Sequence, residues 1–212
     1  VLFMTAQHRE ALAGLTHAIV NRKGLAVLIG AVGTGKTTLL SRVLERLPDT
    51  VRTSLILTPT LTASEFLELA ILNFGIKDVP ESKPRRLVLL HQFLLERHRN
   101  NLVSVLVADE AQMLSPEVLE ELRLLGNFET SEHKLLQIVL VGQNELGEVL
   151  NRPQMRQLKQ RIAIRLSIDA ISRLEIEQYI TFRWMAAGGT TRAPFSKAAV
   201  ECIAQSSGGV PR

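Results

Sequence analysis

The stretch Gly30-Ala31-Val32-Gly33-Thr34-Gly35-Lys36-Thr37 satisfies the spacing G-x-x-x-x-G-K-[ST]. In that spacing successive backbone N–H groups can wrap a polyphosphate, and the N-terminus of the helix that follows, where Thr38 lies, adds its partial positive charge. Gly33 and Gly35 permit backbone angles and a close approach that a side chain would block. Lys36 can reach the β- and γ-phosphates, and the Thr37 hydroxyl can bind Mg²⁺. The plain alternative is a chance glycine turn at the end of a strand. Its flanks argue against that: Leu25-Ala26-Val27-Leu28-Ile29 reads as a buried strand, and Thr38-Leu39-Leu40-Ser41-Arg42-Val43-Leu44 as a helix.

A second group of chemical residues is the pair Asp109-Glu110, directly after the apolar run Leu102-Val103-Ser104-Val105-Leu106-Val107-Ala108. Carboxylates at the C-terminal end of a strand stand where open α/β sheets place their ligands. Combined with the glycine loop they define a site for metal-assisted phosphoryl transfer. Asp109 would hold Mg²⁺ through its water shell, and Glu110 would orient and deprotonate an attacking water.

These residues need a scaffold, and the chain supplies alternating helices and strands. Apolar residues at Ala11, Leu12, Leu15, Ala18 and Ile19 predict an amphipathic helix from Thr5 to Arg22, with Thr5 as its N-cap. His8 lies on it, and a lone histidine on a helix is more often a surface or packing residue than a nucleotide contact. After the loop helix, Thr53-Ser54-Leu55-Ile56-Leu57-Thr58 predicts a second strand, parallel to the first because a helix intervenes. Thr62-Ala63-Ser64-Glu65 carries capping chemistry for a helix that stops near Gly75. A polar loop follows from Ile76 to Lys83, then a long helix with Leu87, Leu90, Leu94 and Leu95 on one side. Ser115-Pro116-Glu117 opens a further helix. Leu135 to Val141 predicts a buried strand closed by Gly142-Gln143-Asn144, and the alternation of Ile162 to Ile168 predicts an edge strand. Beyond it only helices are read, one through Tyr179 and Trp184, another from Ser196 to about Ser206. That change predicts an α/β domain over residues 1–168 and a small helical one over 169–212.

Composition narrows the class. A hydrophobic share of 46% with 22% charged residues is that of a globular chain. No apolar run approaches the roughly 18 residues of a membrane span. Val1-Leu2-Phe3-Met4 reads as the cut edge of a longer chain. With Cys202 alone there is no internal disulfide, and a cytosolic compartment fits. The net charge of +4 is too mild to indicate nucleic acid by itself. Arg152, Arg156, Lys159, Arg161 and Arg165 do fall in one stretch free of acids until Asp169. A solvated helix face is the simpler reading of that stretch, and phosphate contact the sharper one.

The phosphate loop and the acidic pair resemble the Walker A and Walker B motifs of the AAA+ ATPases. A narrower resemblance covers essentially the whole chain. The run Leu119 to Thr130, the run Lys134 to Leu146, the opening His8-Arg9-Glu10-Ala11-Leu12 and the closing Gly209-Val210-Pro211-Arg212 are similar to the ExeA/GspA type of secretion-pathway ATPase. This resemblance implies a P-loop AAA+ fold: a five-stranded parallel sheet of order 5-1-4-3-2, flanked by helices, with a truncated all-helical lid. It implies ATP and Mg²⁺ as cofactors and assembly into a homo-oligomer through the nucleotide interface. A protein of the secretion apparatus is the implied partner, at the cytoplasmic face of the inner membrane.

By the same resemblance Gln143 takes the sensor 1 position, Arg212 the sensor 2 position, and Arg161 the place of an arginine finger that reaches a neighbour's nucleotide, with Arg156 its competitor. Lys36 and Glu110 complete the catalytic set. Two departures stand out. Ala31 replaces the glutamate usual in the family, which removes a charge but no ligand, and the chain stops at Arg212, short of the remaining lid helices. Full-length members also carry a membrane helix and a periplasmic part. The family of DNA-binding transposition regulators of the TnsC/MuB type shares the layout and is the competing functional reading, less favoured because aromatics are few and the charge excess is small. A nucleotide-holding scaffold without turnover is the third, made less apt by Glu110.

Overall fold

The computed structural model describes residues 3–57, 60–190 and 193–210. Its strands are β1 (Leu25–Gly30), β2 (Val51–Ile56), β3 (Val103–Ala108), β4 (Leu136–Gly142) and β5 (Ile162–Ile168). They form one five-stranded sheet in the order β2-β3-β4-β1-β5, every neighbouring pair parallel. This is the expected order, written from the other edge.

The three central strands are buried on both faces, as the middle of a parallel sheet must be, and the residues of the sheet divide by alternation. Leu25, Val27 and Ile29 of β1, with Leu106 of β3 and Leu136, Ile138 and Leu140 of β4, join one core. Helices α3 (Ala63–Asn73), α4 (Lys83–Arg99), α5 (Pro116–Leu125) and α6 (Asn144–Asn151) cover it. Ala26, Leu28, Val105, Val107, Val139 and Val141 face the other way, onto α1 (Ala6–Val20) and α2 (Lys36–Arg46). Each buried Val, Leu or Ile side chain stabilises the fold by about 1.5–3 kcal/mol relative to exposure, so register is fixed from both sides.

Local chemistry sets the boundaries. Thr5 caps α1, and Thr62 with Glu65 forms the capping box of α3. The second strand runs Val51–Ile56, starting and ending two residues before the predicted span. Arg52 is the reason its start is read too late. A charged residue inside a short edge strand breaks the apolar alternation, yet its guanidinium folds over to donate to the Phe74 carbonyl at the end of α3. The predicted last residue, Thr58, lies outside the described residues. Between β4 and β5 stand α6 and the four-residue α7 (Arg156–Lys159).

After β5 come α8 (Arg173–Ala186) and α9 (Lys197–Ser207), joined by an Arg173–Glu201 ion pair. They are tied back to the sheet at their base. The Asp169 N–H donates to Gln7 Oε1 at 3.0 Å, and the Gln7 amide donates to Asp169 Oδ2 at 3.1 Å. The Ile171 N–H donates to the Gly209 carbonyl at 2.9 Å. Gly209 has φ +78° and could hold no Cβ, which would lie 2.3 Å from the Ile171 oxygen.

Candidate active site

The loop after β1, the turn after β3 and the tip of β4 all lie at the C-terminal ends of the adjacent strands β3-β4-β1. At about 4.8 Å per strand, the groups after β1 and β3 are separated by roughly the width of the β4 tip. They face one cleft of about 320 Å³, lined by Val32, Gly33, Gly35, Lys36, Thr37, Thr38, Glu110 and Gln143.

The loop has the predicted geometry. Gly33 and Gly35 have φ of +81° and +91°, which an L side chain rarely adopts. Gly30 is fixed by contact, since a Cβ there would lie 2.4 Å from the Ile168 carbonyl of the neighbouring strand. Thr34 closes the turn, its hydroxyl donating to the Ala31 carbonyl at 2.9 Å. No side chain caps α2, so the free N–H groups of its first turn are available to an anion. Lys36 is buried and its ammonium donates to the carbonyls of Gly30 and Ala31, each at 2.8 Å. Burial pulls its pKa down, and the carboxylates of Glu110, Asp109 and Glu145 oppose that.

On the facing side, the Thr37 hydroxyl donates to Asp109 Oδ2 at 2.9 Å, and Asp109 Oδ1 accepts the Glu110 N–H at 2.8 Å. Two hard oxygen donors side by side at the mouth of a phosphate cradle suit Mg²⁺, which is held by one or two protein oxygens together with substrate phosphates. Among the described residues no cluster of three or more His, Cys, Asp or Glu could cage a metal alone. Glu110 occupies the left-handed region, φ +51°, which is uncommon for a non-glycine residue and recurs at functional sites. Its Oε2 accepts two amides, Gln112 Nε2 at 2.6 Å and Gln143 Nε2 at 3.1 Å. Those hydrogen bonds, first from Gln112 and then from Gln143, hold the carboxyl below its ordinary pKa against the effect of burial, with Lys36 adding to them.

Gln112 was not expected at the site, and of the two simpler readings of His8, surface or packing, it is packing that holds. Gln112 carries no motif and lies on a 3-10 turn, Ala111–Met113. His8 is not a surface residue: it is 2% exposed and sits under the phosphate loop, Nε2 3.0 Å from the Thr34 carbonyl and Nδ1 2.7 Å from Thr5 Oγ1. A carbonyl only accepts, so Nε2 carries the proton and Nδ1 accepts from the threonine hydroxyl. His8 precedes Ala11 and Leu12 by three and four residues, on the buried stripe of α1, and that spacing is the signal that marks it.

The remaining predicted residues lie elsewhere. Arg161 directly precedes β5, at the far end of the sheet. β1 pairs Leu25 with Ile162 and Gly30 with Ile168, so about 20 Å of strand separates Arg161 from the loop. Its Nη1 donates to the Arg123 carbonyl at 3.3 Å, beside a cavity it shares with Lys23, Arg123 and Lys134. Arg156 is exposed on α7, and among the described residues its guanidinium meets no hydrogen-bond or ion-pair partner. The basic stretch is not one helix face: Arg152 follows α6, Arg156 and Lys159 lie on α7, and Arg165 on β5. Arg212 lies outside the described residues.

Residues 19–150 match the family described as AAA domain. Over its whole length the chain is 40% identical to General secretion pathway protein A of Aeromonas hydrophila, and it spans 39% of that relative. Among solved structures, the ORC2 protein of Aeropyrum pernix, as ADPNP and ADP complexes, matches 86% of this chain and 52% of its own at a TM-score of 0.64 and 18% identity. The Thermotoga maritima RuvB Holliday junction branch migration motor matches 99% of this chain and 59% of its own, with a TM-score of 0.60 and 21% identity. At such identities these two establish the fold alone.

Proposed function

The chain belongs to the AAA domain family, and from that premise we propose that it binds ATP with Mg²⁺ and hydrolyses it, as the oligomeric nucleotide switch of a secretion apparatus. The loop from Gly30 to Thr38 takes the phosphates on its backbone N–H groups, and the Lys36 ammonium turns from the loop carbonyls to the β- and γ-phosphates. Thr37 and Asp109 hold Mg²⁺, which when bound neutralises charge on the transferring phosphoryl group. Glu110 accepts the proton of the attacking water, and Gln143 presents its amide to the γ-phosphate. The observation that carries this reading is the juxtaposition across one cleft: a phosphate loop with an uncapped helix, and opposite it Asp109 bonded to Thr37, with Glu110 bonded to Gln143.

Arg161 is too far from its own loop to serve it, which supports a role at the nucleotide of an adjacent subunit. Arg212 stands three residues beyond Gly209. The phosphate-sensing role of Arg212 rests on the resemblance carried by Gly209-Val210-Pro211-Arg212. The 40% identity to General secretion pathway protein A supports the secretion role and a place at the cytoplasmic face of the inner membrane. Among the described residues no helix is long and apolar enough to cross a membrane.

The test is Glu110→Gln, which keeps the shape of the site and Asp109 but removes the base. ATP should bind with parental affinity and persist, with turnover reduced about 100-fold or more. Hydrolysis at the parent rate would remove Glu110 from the mechanism.

A further inference from the structure

We propose that Gln112 is the positioning residue for Glu110, fixing that carboxylate in the cleft while the amide of Gln143 is free to turn toward phosphate. The inference rests on the reading of Glu110 as the base. Both ends of the Gln112 amide are engaged, and with different partners. Its Nε2 donates to Glu110 Oε2 at 2.6 Å, and its Oε1 accepts the backbone N–H of Gln143 at 3.0 Å. This assigns the amide unambiguously, since reversing it would set an oxygen against a carboxylate and an NH₂ against an N–H. The chain makes room for it: a Cβ at Gly142 would lie 2.8 Å from Gln112 Oε1 and 2.9 Å from Leu146. The tip of β4 therefore needs glycine so that Gln112 can reach across it.

Glu110 has few other restraints. It follows β3 with a left-handed backbone and is only half-buried. Gln143 also holds it, but by the weaker of the two contacts, 3.1 Å, and the Gln143 side chain lines the cleft where a nucleotide's phosphates would compete for it. Gln112 does not line that cleft. It holds Oε2 from outside and is anchored to the backbone of Gln143, so it can keep the carboxylate in place whichever way the Gln143 amide turns. A group about 1 Å out of line can cost 10² in rate.

The experiment is a double-mutant cycle on purified protein, with ATP turnover and the affinity for a fluorescent ATP analogue as its two readouts. Gln112→Met keeps the length that fills the space beside Gly142 and deletes the amide. Gln112→Ala is the second variant, and both must show a folded melting transition. We expect the Met variant to lower kcat by about 10- to 100-fold, with affinity within about twofold of the parent because the loop is untouched. In a Glu110→Gln background the same substitution should lower turnover no further, since nothing remains to position. A residue that merely stabilises the fold would reduce both backgrounds by the same factor, and that result overturns the proposal, as does a Met variant at the parent rate. Failure of the underlying reading is separable: Glu110→Gln alone would then turn over like the parent.

Discussion

Replacing His8 separates packing from function at the phosphate loop. His8→Ala removes a proton donor from the Thr34 carbonyl on a residue that is itself 1% exposed, so no water can replace it without rearrangement. Orphaning a buried acceptor costs about 1–3 kcal/mol, and in a chain of this size that lowers the melting temperature by about 2–4 °C per kcal/mol. The affinity effect is distinct. A loop no longer pinned at Thr34 must be ordered when nucleotide arrives, at about 1–2 kcal/mol per freed residue, or about 5- to 30-fold in Kd. Two further variants discriminate the cause. His8→Gln places an amide NH₂ near the position of Nε2 and keeps the bond to Thr34, whereas His8→Asn places a carbonyl near Nδ1 and keeps only the bond to Thr5. Calorimetric titration with ATP should show the Gln variant close to the parent and the Asn variant as weak as Ala. If Gln and Asn shift Kd equally, or if Ala melts earlier with unchanged Kd, His8 merely fills space.

Arg161→Ala should bind ATP normally yet lose any rise of turnover per subunit with protein concentration, because a neighbour's arginine can contribute roughly 10³ to 10⁵ in rate only within an assembly. Mixing it with Lys36→Ala, whose arginine is intact, should restore some hydrolysis, and a rise unchanged in Arg161→Ala would pass the role to Arg156. The pH response of stability should involve His98. Burial, then Arg22 and His133, lower its pKa, and its Nδ1 faces an Arg22 donor, so the folded chain favours the neutral ring. The unfolded chain takes up more protons as pH falls through its ordinary value near 6.5, and stability falls with it. Between about pH 7.5 and about pH 5.5, the melting temperature should drop less in His98→Asn than in the parent, and an equal drop would refute the coupling.

The glycine loop and the strands flanking it are legible because local chemistry favours them: a strongly positive φ favours glycine, and a strand buried on both faces is mostly apolar, with Ser104 and Gln137 the buried polar residues of β3 and β4. The three central strands could be read from these runs alone. Edge strands are less legible, since they need satisfy only one face, and Arg52 within β2 is tolerated because its charge finds a carbonyl on a different element. Gln112 could not be read at all. An amide on a short turn gains its meaning only when folding brings the backbone of Gln143, more than thirty residues later in the chain, to its oxygen. The signal for His8 was present in its spacing, but a titratable side chain does not count as apolar until its two nitrogens are seen to be satisfied.

The hydrogen bond from Ile171 to Gly209 makes the helical pair a closed detour. The chain departs from the sheet at Ile171 and comes back to the same spot, so α8 and α9 are held at one stem and, beside it, by Phe3, whose ring packs against Tyr179 and Phe182 of α8. Turning that body as a unit would take changes in a few torsions near residues 169–172 and 208–209 and the parting of Phe3 from Tyr179 and Phe182, while the strand pairings could stay as they are. The stem lies close in sequence to Ile168, whose carbonyl leaves no room for a side chain at Gly30. A side chain at Gly30 would therefore press on the last residue of β5, three residues before the pivot at Ile171.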